Sequence, residues 1–446
     1  MPTRRTFLKH AALATTLTIV PRHVLGQGQT PPSEKLNIAG IGVGAQGAVV
    51  LKDMADQNIV ALCDVDHKFA AKTFATYPKA QRFKDYRQML DQIGKSVDAV
   101  VVATPDHMHA PIAMAAMRAG KHAYVEKPMA HSIEEARVMA AFAKEKGLVT
   151  QMGQNGHATE GIRQTKEWIA AGAIGNVKEV HAWTDRPGTP KRPWWPQPAP
   201  LKPGVYPVPP DLDWDLWIGM AKPRAYNPAY CPFVWRGFFD FGTGALGDMA
   251  VHNFNPAFFA LEPGAPTAAH AQTGPLGKES YPAWQVITFE FPKSQKFPDG
   301  LKMIWHDGGL KPETPADFEG KYTLSDNGVL FIGDKGSMIG GGSSGLGGAP
   351  RLFPASRRKD FVEPPKTIPR SIGHRQEWVK ACKDNKPQDA KAGFWYSGPF
   401  VEALLVGNLA SRLQKRIEWD AANMKATNAP EADALIHKTY RQGFGI

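Results

Sequence analysis

The sequence contains little cysteine and no long hydrophobic segment. Only three of its 446 residues are cysteines, Cys63, Cys231 and Cys382. Their odd number and wide spacing predict neither a disulfide framework nor a metal centre. No apolar run approaches the roughly 20 residues that a membrane-spanning helix requires, so we expect no stable membrane anchor. A chain of this length can form two or three domains around a large core.

The basic side chains are not clustered into a stripe or patch. The formal net charge is +11, but residues 1–26 contain four Lys or Arg and no Asp or Glu, and subtracting these four leaves +7 for the rest of the chain. The remaining basic residues are scattered, and no nucleic-acid-binding motif accompanies them. We therefore expect a mildly basic solvated surface and no nucleic-acid partner.

The first residues have the pattern of an export signal. The stretch from Thr3 to Lys9 reads Thr-Arg-Arg-Thr-Phe-Leu-Lys and resembles a twin-arginine signal. A short apolar stretch follows, and small or apolar residues up to Gly26 offer a cleavage point. We predict a signal peptide over residues 1–26, recognition by the twin-arginine export machinery, and a periplasmic or exported protein. A basic tail without this role is the alternative.

A glycine-rich turn lies between two apolar runs near the start of the chain. An apolar run from residue 37 ends in Gly42-Val-Gly44-Ala-Gln-Gly47, and a second apolar run ends at Asp64. This order of strand, G-x-G-x-x-G, helix, strand and acid is typical of dinucleotide binding. Gly42 permits the tight turn, Gly44 lets backbone amides approach a pyrophosphate, and Gly47 lets the helix pack on the strand. Asp64 can accept the ribose hydroxyls.

Patterns of strands and helices divide the rest of the chain into two parts. From residue 35 to 155 they alternate, which predicts a Rossmann domain with a doubly wound parallel sheet. Between Trp284 and His306, two segments alternate apolar and polar residues, which indicates antiparallel strands with one covered face. The predicted fold class is therefore α/β, with an α+β domain over residues 156–446 whose sheet is mostly antiparallel.

Two further stretches combine residues suited to catalysis. Glu126-Lys127-Pro128 follows a predicted parallel strand, where open α/β sheets bind ligands, so Lys127 could donate to a substrate oxygen. A second glycine-rich turn leads to Asp248 and His252, which are four residues apart and would share a helix face. Asp248 could then steady the imidazole and favour its protonated form, and His252 could act as a general base. A solvated lysine, a helix-capping aspartate and a core histidine are the alternatives.

The segment that starts at Thr104-Pro105 offers contacts to a nucleotide at another strand end. His107 and His109 follow, but no third ligand lies near them in the sequence, so we predict no metal site and interpret both as satisfied histidines at a helix start. The several tryptophans, among them Trp235, either stack on a sugar ring or pack in the core.

Together these motifs resemble the Gfo/Idh/MocA oxidoreductases. The resemblance rests on the glycine turn at 42–47, Thr104-Pro105 with His109, Glu126-Lys127-Pro128, and the glycine-rich stretch that ends at Asp248 and His252. The stretch that begins at Gly242 is similar to that of a secreted, twin-arginine branch of the family. The resemblance implies a nicotinamide cofactor, a C-terminal domain that binds substrate and whose open sheet mediates a homodimer or homotetramer, and Lys127, Asp248 and His252 as the catalytic set.

Three groups of candidate site residues follow. The catalytic candidates are Lys127, Asp248 and His252. The cofactor-binding candidates are Gly42, Val43, Gly44, Gln46, Gly47, Asp64, Thr104, Pro105, His109, Glu126 and Lys127. The substrate-binding candidates are Lys127, Gln154, Trp235, Arg236 and His252. Asp64 would repel a 2′-phosphate and favours NAD, whereas Lys68 nearby leaves NADP open.

The predicted function is that of an exported NAD(P)-dependent oxidoreductase acting on a sugar, polyol or glycoside with a tightly bound cofactor. One alternative is a redox-neutral NAD-dependent glycosidase that works by transient oxidation and elimination. A sugar-binding protein without turnover is the other.

Overall fold

The computed structural model describes residues 34–189, 191–320, 322–342 and 348–446. The predicted signal peptide, residues 1–26, lies outside the described residues, so that interpretation stays a prediction. Within the described ranges, no helix has the length and apolar character needed to cross a bilayer.

The first domain is built on a six-stranded parallel sheet in the order β3-β2-β1-β4-β5-β6. Its strands are β1 Asn37–Ile41, β2 Asn58–Cys63, β3 Gln81–Phe83, β4 Ala99–Val102, β5 His122–Val125 and β6 Thr150–Met152. Its helices are α1 Gln46–Lys52, α2 Ala71–Thr76, α3 Tyr86–Ile93, α4 His109–Arg118 and α5 Ile133–Glu145. All four residues of β4 are buried, because helices cover both faces of a parallel sheet. The predicted doubly wound parallel sheet is confirmed.

The second domain is built on a nine-stranded mixed sheet in the order β15-β14-β13-β7-β12-β11-β10-β16-β17, in which only β7 and β12 pair in parallel. Its strands are β7 Val177–Trp183, β10 Ala268–Thr273, β11 Gln285–Phe291, β12 Leu301–His306, β13 Gly328–Gly333, β14 Gly336–Ile339, β15 Arg351–Phe353, β16 Ile417–Asp420 and β17 Lys425–Ala426, and a separate ribbon joins β8 Gly188–Thr189 to β9 Arg192–Pro193. Alternate residues of β11 are buried, which confirms the expected period of two and the mostly antiparallel sheet.

The helices after residue 156 cover one face of this sheet, carry part of the cleft described below, or pack against the first domain. They are α6 Glu160–Ala170, α7 Trp214–Ile218, α8 Val251–Asn253, α9 Asn255–Leu261, α10 Ala355–Asp360, α11 His374–Asp384, α12 Phe394–Leu413 and α13 Asp433–Ile436, with a π-helix over Leu246–Ala250 immediately before α8. The long helix α12 is buried over most of its length. It packs between the sheet and α5 of the first domain, where Arg137 pairs with Glu402.

Helix α11 returns the chain to the first domain. Trp378 is fully buried, belongs to the same core cluster as Ile38 and Tyr124, and meets the Tyr124 ring edge-on with centroids 5.6 Å apart. Residues more than 200 positions downstream therefore complete the hydrophobic core on one face of the parallel sheet, and the two domains share this core.

We expect Trp378→Ala to destabilise the protein by about 3–5 kcal/mol, because it leaves a large cavity beneath the parallel sheet. The matched control is Trp284→Ala, since Trp284 is 39% exposed and its loss should cost less than half as much. Urea unfolding followed by far-UV circular dichroism measures both. Equal shifts in the two variants would contradict the shared core.

Candidate active site

A cleft of about 630 Å³ lies along the carboxyl edge of the parallel sheet, between the two domains. Every strand from β1 to β6 contributes to it through the residues that follow the strand. These are Gly42, Asp64, Lys84, Thr104, Lys127 and Asn155. The second domain closes the opposite side with Trp235, Arg236 and His252.

The first glycine-rich turn has the geometry that its sequence predicts. Gly42 has φ +77°, and a Cβ there would lie 2.8 Å from the backbone of Ala103. A Cβ on Gly47 would lie 2.1 Å from the carbonyl oxygen of Gly42, so α1 packs directly on the turn. The aromatic ring of Phe69 lies over Gly44, 2.1 Å from where a Cβ would stand. Gly42, Gly44 and Gln46 line the cleft.

Val43 does not line the cleft, contrary to the prediction. Its side chain is buried in the core, and its amide donates to Oδ2 of Asp64 at 2.8 Å.

The other carboxylate oxygen of Asp64 accepts a hydrogen bond from the amide of Asp66 at 2.9 Å. Burial raises the pKa of Asp64 to about 6 although these backbone hydrogen bonds oppose the shift. Asp64 is therefore ionised at neutral pH, and it lines the cleft at the end of β2.

At the end of β4, Thr104 offers a free polar group to a ligand. Its hydroxyl is buried, has no hydrogen-bond partner among the described residues, and lies in the lining of the cleft, next to Pro105. His109 lies between the carbonyl oxygens of Thr104 and Pro128, 2.8 Å from each. His109 lines the cleft, and both its nitrogens lie against carbonyl oxygens of the protein, so it supports the two strand ends.

Glu126 is held at the end of β5 by several contacts. Gln46 donates to its Oε1 at 3.2 Å, and the amide of Lys127 lies 3.3 Å from its Oε2. A Cβ on Gly153 would lie 2.6 Å from the Glu126 carboxylate. The glutamate therefore joins the first glycine turn to the ends of β5 and β6.

Lys127 and Asp248 form an ion pair across the cleft. The Lys127 Nζ lies 2.7 Å from Oδ1 of Asp248 and 3.2 Å from its backbone carbonyl oxygen. The Arg236 Nε lies 3.5 Å from the same carboxylate oxygen. Burial disfavours the ionised Asp248, but the charges of Lys127 and Arg236 outweigh it and hold its pKa well below the usual range. Asp248 is therefore a permanent anion beside the cleft, in contact with Lys127 and Arg236 of its lining.

His252 lies near this pair but is not bonded to Asp248, which corrects one expectation. Hydrogen bonds in the described part of the chain do not join the two, and the Nδ1 of His252 is buried without a partner. Asp248 belongs to the π-helix, and His252 to the following α8. A π-turn is wider than an α-turn, so residues four apart do not stack as they would on an α-helix.

The charge state of His252 also differs from the expectation. Burial and the charge of Lys127 lower the pKa of His252 to about 3, although Asp248 raises it. The imidazole is therefore neutral at physiological pH, not favoured in its protonated form. A neutral imidazole retains the lone pair that a general base needs.

Asp106 is a site residue that sequence reasoning missed. It is buried, lines the cleft, and accepts hydrogen bonds from the Thr243 amide at 3.1 Å and hydroxyl at 2.7 Å. Burial raises its pKa to about 7. Asp106 thus ties the end of β4 to the second glycine-rich turn, and its position directly after Thr104-Pro105 was the signal that could have identified it.

The three remaining substrate-binding candidates have different positions. Gln154 is fully buried and its side-chain amide donates to the carbonyl of Val251, so it supports α8, and Asn155 lines the cleft in its place. Trp235 and Arg236 line the cleft, with the Arg236 guanidinium 4.2 Å from the centroid of the Trp235 ring.

The histidines at the start of α4 do not form a metal site. The Nε2 of His107 lies 3.1 Å from the carbonyl oxygen of Trp217, and both nitrogens of His109 are occupied as described above. In the described ranges, no three His, Cys, Asp or Glu side chains are grouped so as to hold a metal ion.

Two parts of the chain match models of a known family. Residues 36–154 match the Gfo/Idh/MocA oxidoreductase family, NAD-binding Rossmann fold. Residues 161–333 match the C-terminal alpha/beta domain of the same oxidoreductase family. Together these matches cover well over half of the chain.

Curated relatives match over shorter stretches. A levoglucosan dehydrogenase of Pseudarthrobacter phenanthrenivorans is 31% identical over 205 residues, which are 45% of this chain and 42% of that protein. A glycosyl hydrolase family 109 protein of Shewanella amazonensis is 38% identical over 115 residues, 24% of this chain and 25% of the relative. The aligned stretches thus span less than half the length of either relative.

A solved structure shares the fold over most of the chain. The WlbA dehydrogenase from Bordetella pertussis, solved in complex with NADH and UDP-GlcNAcA, superposes with a TM-score of 0.59 and 18% identity. The alignment covers 86% of this chain and 99% of that one. This likeness concerns the fold alone.

We expect NAD affinity to decrease at low pH because Asp64 must be ionised to accept ribose hydroxyls. With a pKa of about 6, the ionised fraction is nearly complete at pH 8. It falls to about one tenth at pH 5, which predicts roughly tenfold weaker binding. Isothermal titration calorimetry from pH 5 to 8 measures this.

Asp64→Asn should bind more weakly and lose this pH dependence. Asp299→Asn, at an exposed carboxylate that does not line the cleft, is the control and should keep it. A wild-type affinity that is constant down to pH 5 would contradict the role given to Asp64.

Proposed function

Because the chain belongs to the Gfo/Idh/MocA oxidoreductase family, we propose that it is an NAD-dependent enzyme that oxidises a hydroxyl group of a sugar, polyol or glycoside. The observation that carries the proposal is that Lys127 and His252 line one cleft with the glycine-rich turn at 42–47, and that Asp248 pairs with Lys127 beside it. The first side chain comes from the parallel sheet and the other two from the second domain, so the cleft holds catalytic groups only when both domains are in place.

The described residues fit a dinucleotide. The turn at Gly42 and Gly44 opens onto the cleft at the start of α1, the Asp64 carboxylate lies at the end of β2, and the Thr104 hydroxyl is unpartnered. NAD bound here would accept a hydride from the carbon that bears the reacting hydroxyl. The remaining chemistry belongs to the side chains of the protein.

The acidic character of the ribose end supports NAD rather than NADP. Asp64 and Asp66 both line this end of the cleft. A 2′-phosphate at ~4 Å from one carboxylate would be repelled by roughly 4 kcal/mol per charge at an effective dielectric of 20. Lys84 also lies there, but its Nζ contacts the carbonyl of Asp211 at 3.4 Å. Lys68 does not line the cleft.

Three side chains act on the substrate hydroxyl, each in a different role. The neutral His252 accepts the hydroxyl proton, and the permanent anion Asp248 stabilises the imidazolium as it forms. Lys127 donates to the substrate oxygen as negative charge develops on it. The positive charge of Lys127 lowers the pKa of His252. The negative charge that develops on the substrate oxygen offsets this effect, so His252 becomes a stronger base as the reaction proceeds.

We also propose export and a cofactor that does not exchange freely. The pattern Arg4-Arg5 followed by a short apolar stretch supports export in the folded state. Free NAD is scarce outside the cytoplasm, so the bound cofactor would be recycled in the cleft by a second substrate or by return of the hydride. The open face of the nine-stranded sheet, which carries His181 and Ile304, is proposed as the contact in a homodimer or homotetramer.

A redox-neutral glycosidase is the second candidate. It is supported by the 38% identity to a glycosyl hydrolase family 109 protein over 115 residues. Transient oxidation acidifies a neighbouring C–H bond and permits elimination of the aglycone. Addition of water to the resulting double bond and return of the hydride to the oxidised carbon then give the free sugar with no net redox change. Lys127 and His252 would serve this reaction in the same positions.

One experiment separates the candidates. The purified protein is denatured with acid and the released nucleotide is identified by mass spectrometry, and the native protein is then incubated with sugars, polyols and nitrophenyl glycosides. Net formation of NADH or of a reduced second substrate supports the oxidoreductase. Release of nitrophenol without either supports the glycosidase. A protein that carries no nucleotide, binds none and turns over no substrate contradicts both.

We expect Lys127→Ala to lower kcat/KM by about 10²–10³-fold, because the developing oxyanion loses a charged donor. His252→Ala should lower it by about 10²–10⁴-fold through loss of the base. The controls are Lys68→Ala and His270→Ala, since neither side chain lines the cleft. Steady-state kinetics on the substrate found above measures these ratios. Unchanged activity in Lys127→Ala would rule out both catalytic candidates.

A further inference from the structure

Residues 437–446, here called the C-terminal segment, cross from the second domain onto the first. The Lys438 Nζ contacts Glu135 at 3.4 Å, and the Tyr440 hydroxyl donates to the same carboxylate at 3.1 Å. Arg441 pairs with the carboxylate of Asp215 at 2.5 Å and donates to its backbone carbonyl at 2.8 Å. The first half of the segment, up to Arg441, is therefore held by carboxylates of both domains.

Phe444 is the residue of the C-terminal segment that lies in the wall of the cleft. Its side chain is 4% exposed and forms part of the cleft lining. The guanidinium of Arg87 lies 4.4 Å from the centroid of its ring, and that of Arg441 lies 4.8 Å away. Arg87 also donates to the carbonyl of Gly443 at 3.2 Å. Two cations thus fix one aromatic ring at the edge of the cleft.

The position of Phe444 along the sheet identifies the part of the cleft that it borders. Arg87, which holds it, belongs to α3, the helix that follows β3, at the far end of the strand order from β5 and Lys127. Asp64 follows β2, the neighbouring strand. Strands β2 and β5 are three spacings apart, about 14 Å at ~4.8 Å per strand. Phe444 therefore lies beyond the ribose-binding carboxylate, on the side away from the catalytic residues.

A second segment closes the same end of the cleft. The amide of Asp213 donates to the carbonyl of Val65 at 2.8 Å, and the amide of His67 donates to that of Asp211 at 3.3 Å. This places Leu212 and Leu216 in the cleft lining with Phe444. Since Arg441 bonds Asp215 in this segment, the two closing segments are joined to each other.

We propose that Phe444 and the C-terminal segment form the outer wall of the adenosine subsite, so that a bound dinucleotide leaves only when this segment detaches. The proposal rests on the proposed nucleotide binding. It assigns retention of the cofactor to residues outside both glycine-rich motifs. Aromatic and aliphatic side chains there suit a nucleobase, and release requires the Arg441–Asp215 and Arg87–Gly443 contacts to break together.

The test compares the release of NADH from wild-type protein and from Phe444→Ala. Each protein is loaded with NADH, freed of unbound nucleotide by gel filtration, and mixed with excess NAD while the fluorescence of bound NADH is followed by stopped flow. Loss of an aromatic side chain from beside a base predicts roughly 5- to 100-fold faster release. Phe444→Leu should lie between the two, and Val362→Ala, at a residue that is 85% exposed, should match wild type.

Arg441→Gln gives an independent arm that keeps the ring but removes its anchor to Asp215, and it should also release NADH faster. This arm decides the question should Phe444→Ala fail to fold. Release rates within twofold of wild type in a folded Phe444→Ala, or in Arg441→Gln where the first variant does not fold, would overturn the proposal. A wild-type protein that binds no NADH would instead overturn the proposed function.

Discussion

The ion pair between Lys127 and Asp248 is the interaction on which the arrangement of the cleft depends. Its cation follows β5 of the parallel sheet and its anion belongs to the π-helix of the second domain, so a single 2.7 Å contact joins the domains where the candidate chemistry occurs. Burying either charge alone would cost desolvation free energy, and a buried ion pair is stable only when further polar groups contact it. Arg236 and the carbonyl of Asp248 supply them.

Other hydrogen bonds between the two domains fix the backbone that carries this ion pair. Asp106 accepts hydrogen bonds from the amide and the hydroxyl of Thr243, and the Nε2 of His131 lies 3.0 Å from the carbonyl oxygen of Gly242. The second glycine-rich turn is thus bonded to the first domain at adjacent residues. Since the π-helix follows this turn directly, its carboxylate is delivered to Lys127 by backbone that cannot shift independently. Gln154 has the same effect on α8 through the carbonyl of Val251.

The electrostatics of the site follow from the same geometry. Burial and the charge of Lys127 lower the pKa of His252 and keep the imidazole neutral, while Asp248 limits the effect. At the other end of the cleft, Asp64 carries its charge against the cost of burial because two backbone amides donate to it. The cleft therefore has an acidic end and an end where a cation, an anion and a neutral base lie close together, as the proposed hydroxyl oxidation would require.

Features of this protein that depend on neighbouring residues could be predicted from the sequence. The positive φ at Gly42, the close approach at Gly47, the period of two in β11, and the exit of Lys127 from a parallel strand all follow from local sterics and strand geometry. Features that depend on distant contacts were decided only by the tertiary structure. The π-helix separates Asp248 from His252 and places it against Lys127, and the side chains of Val43 and Gln154 are buried. Phe444 completes a cleft whose first glycine is Gly42, at the other end of the chain. No local pattern encodes these outcomes, because each is fixed by which surfaces the two domains bury against each other.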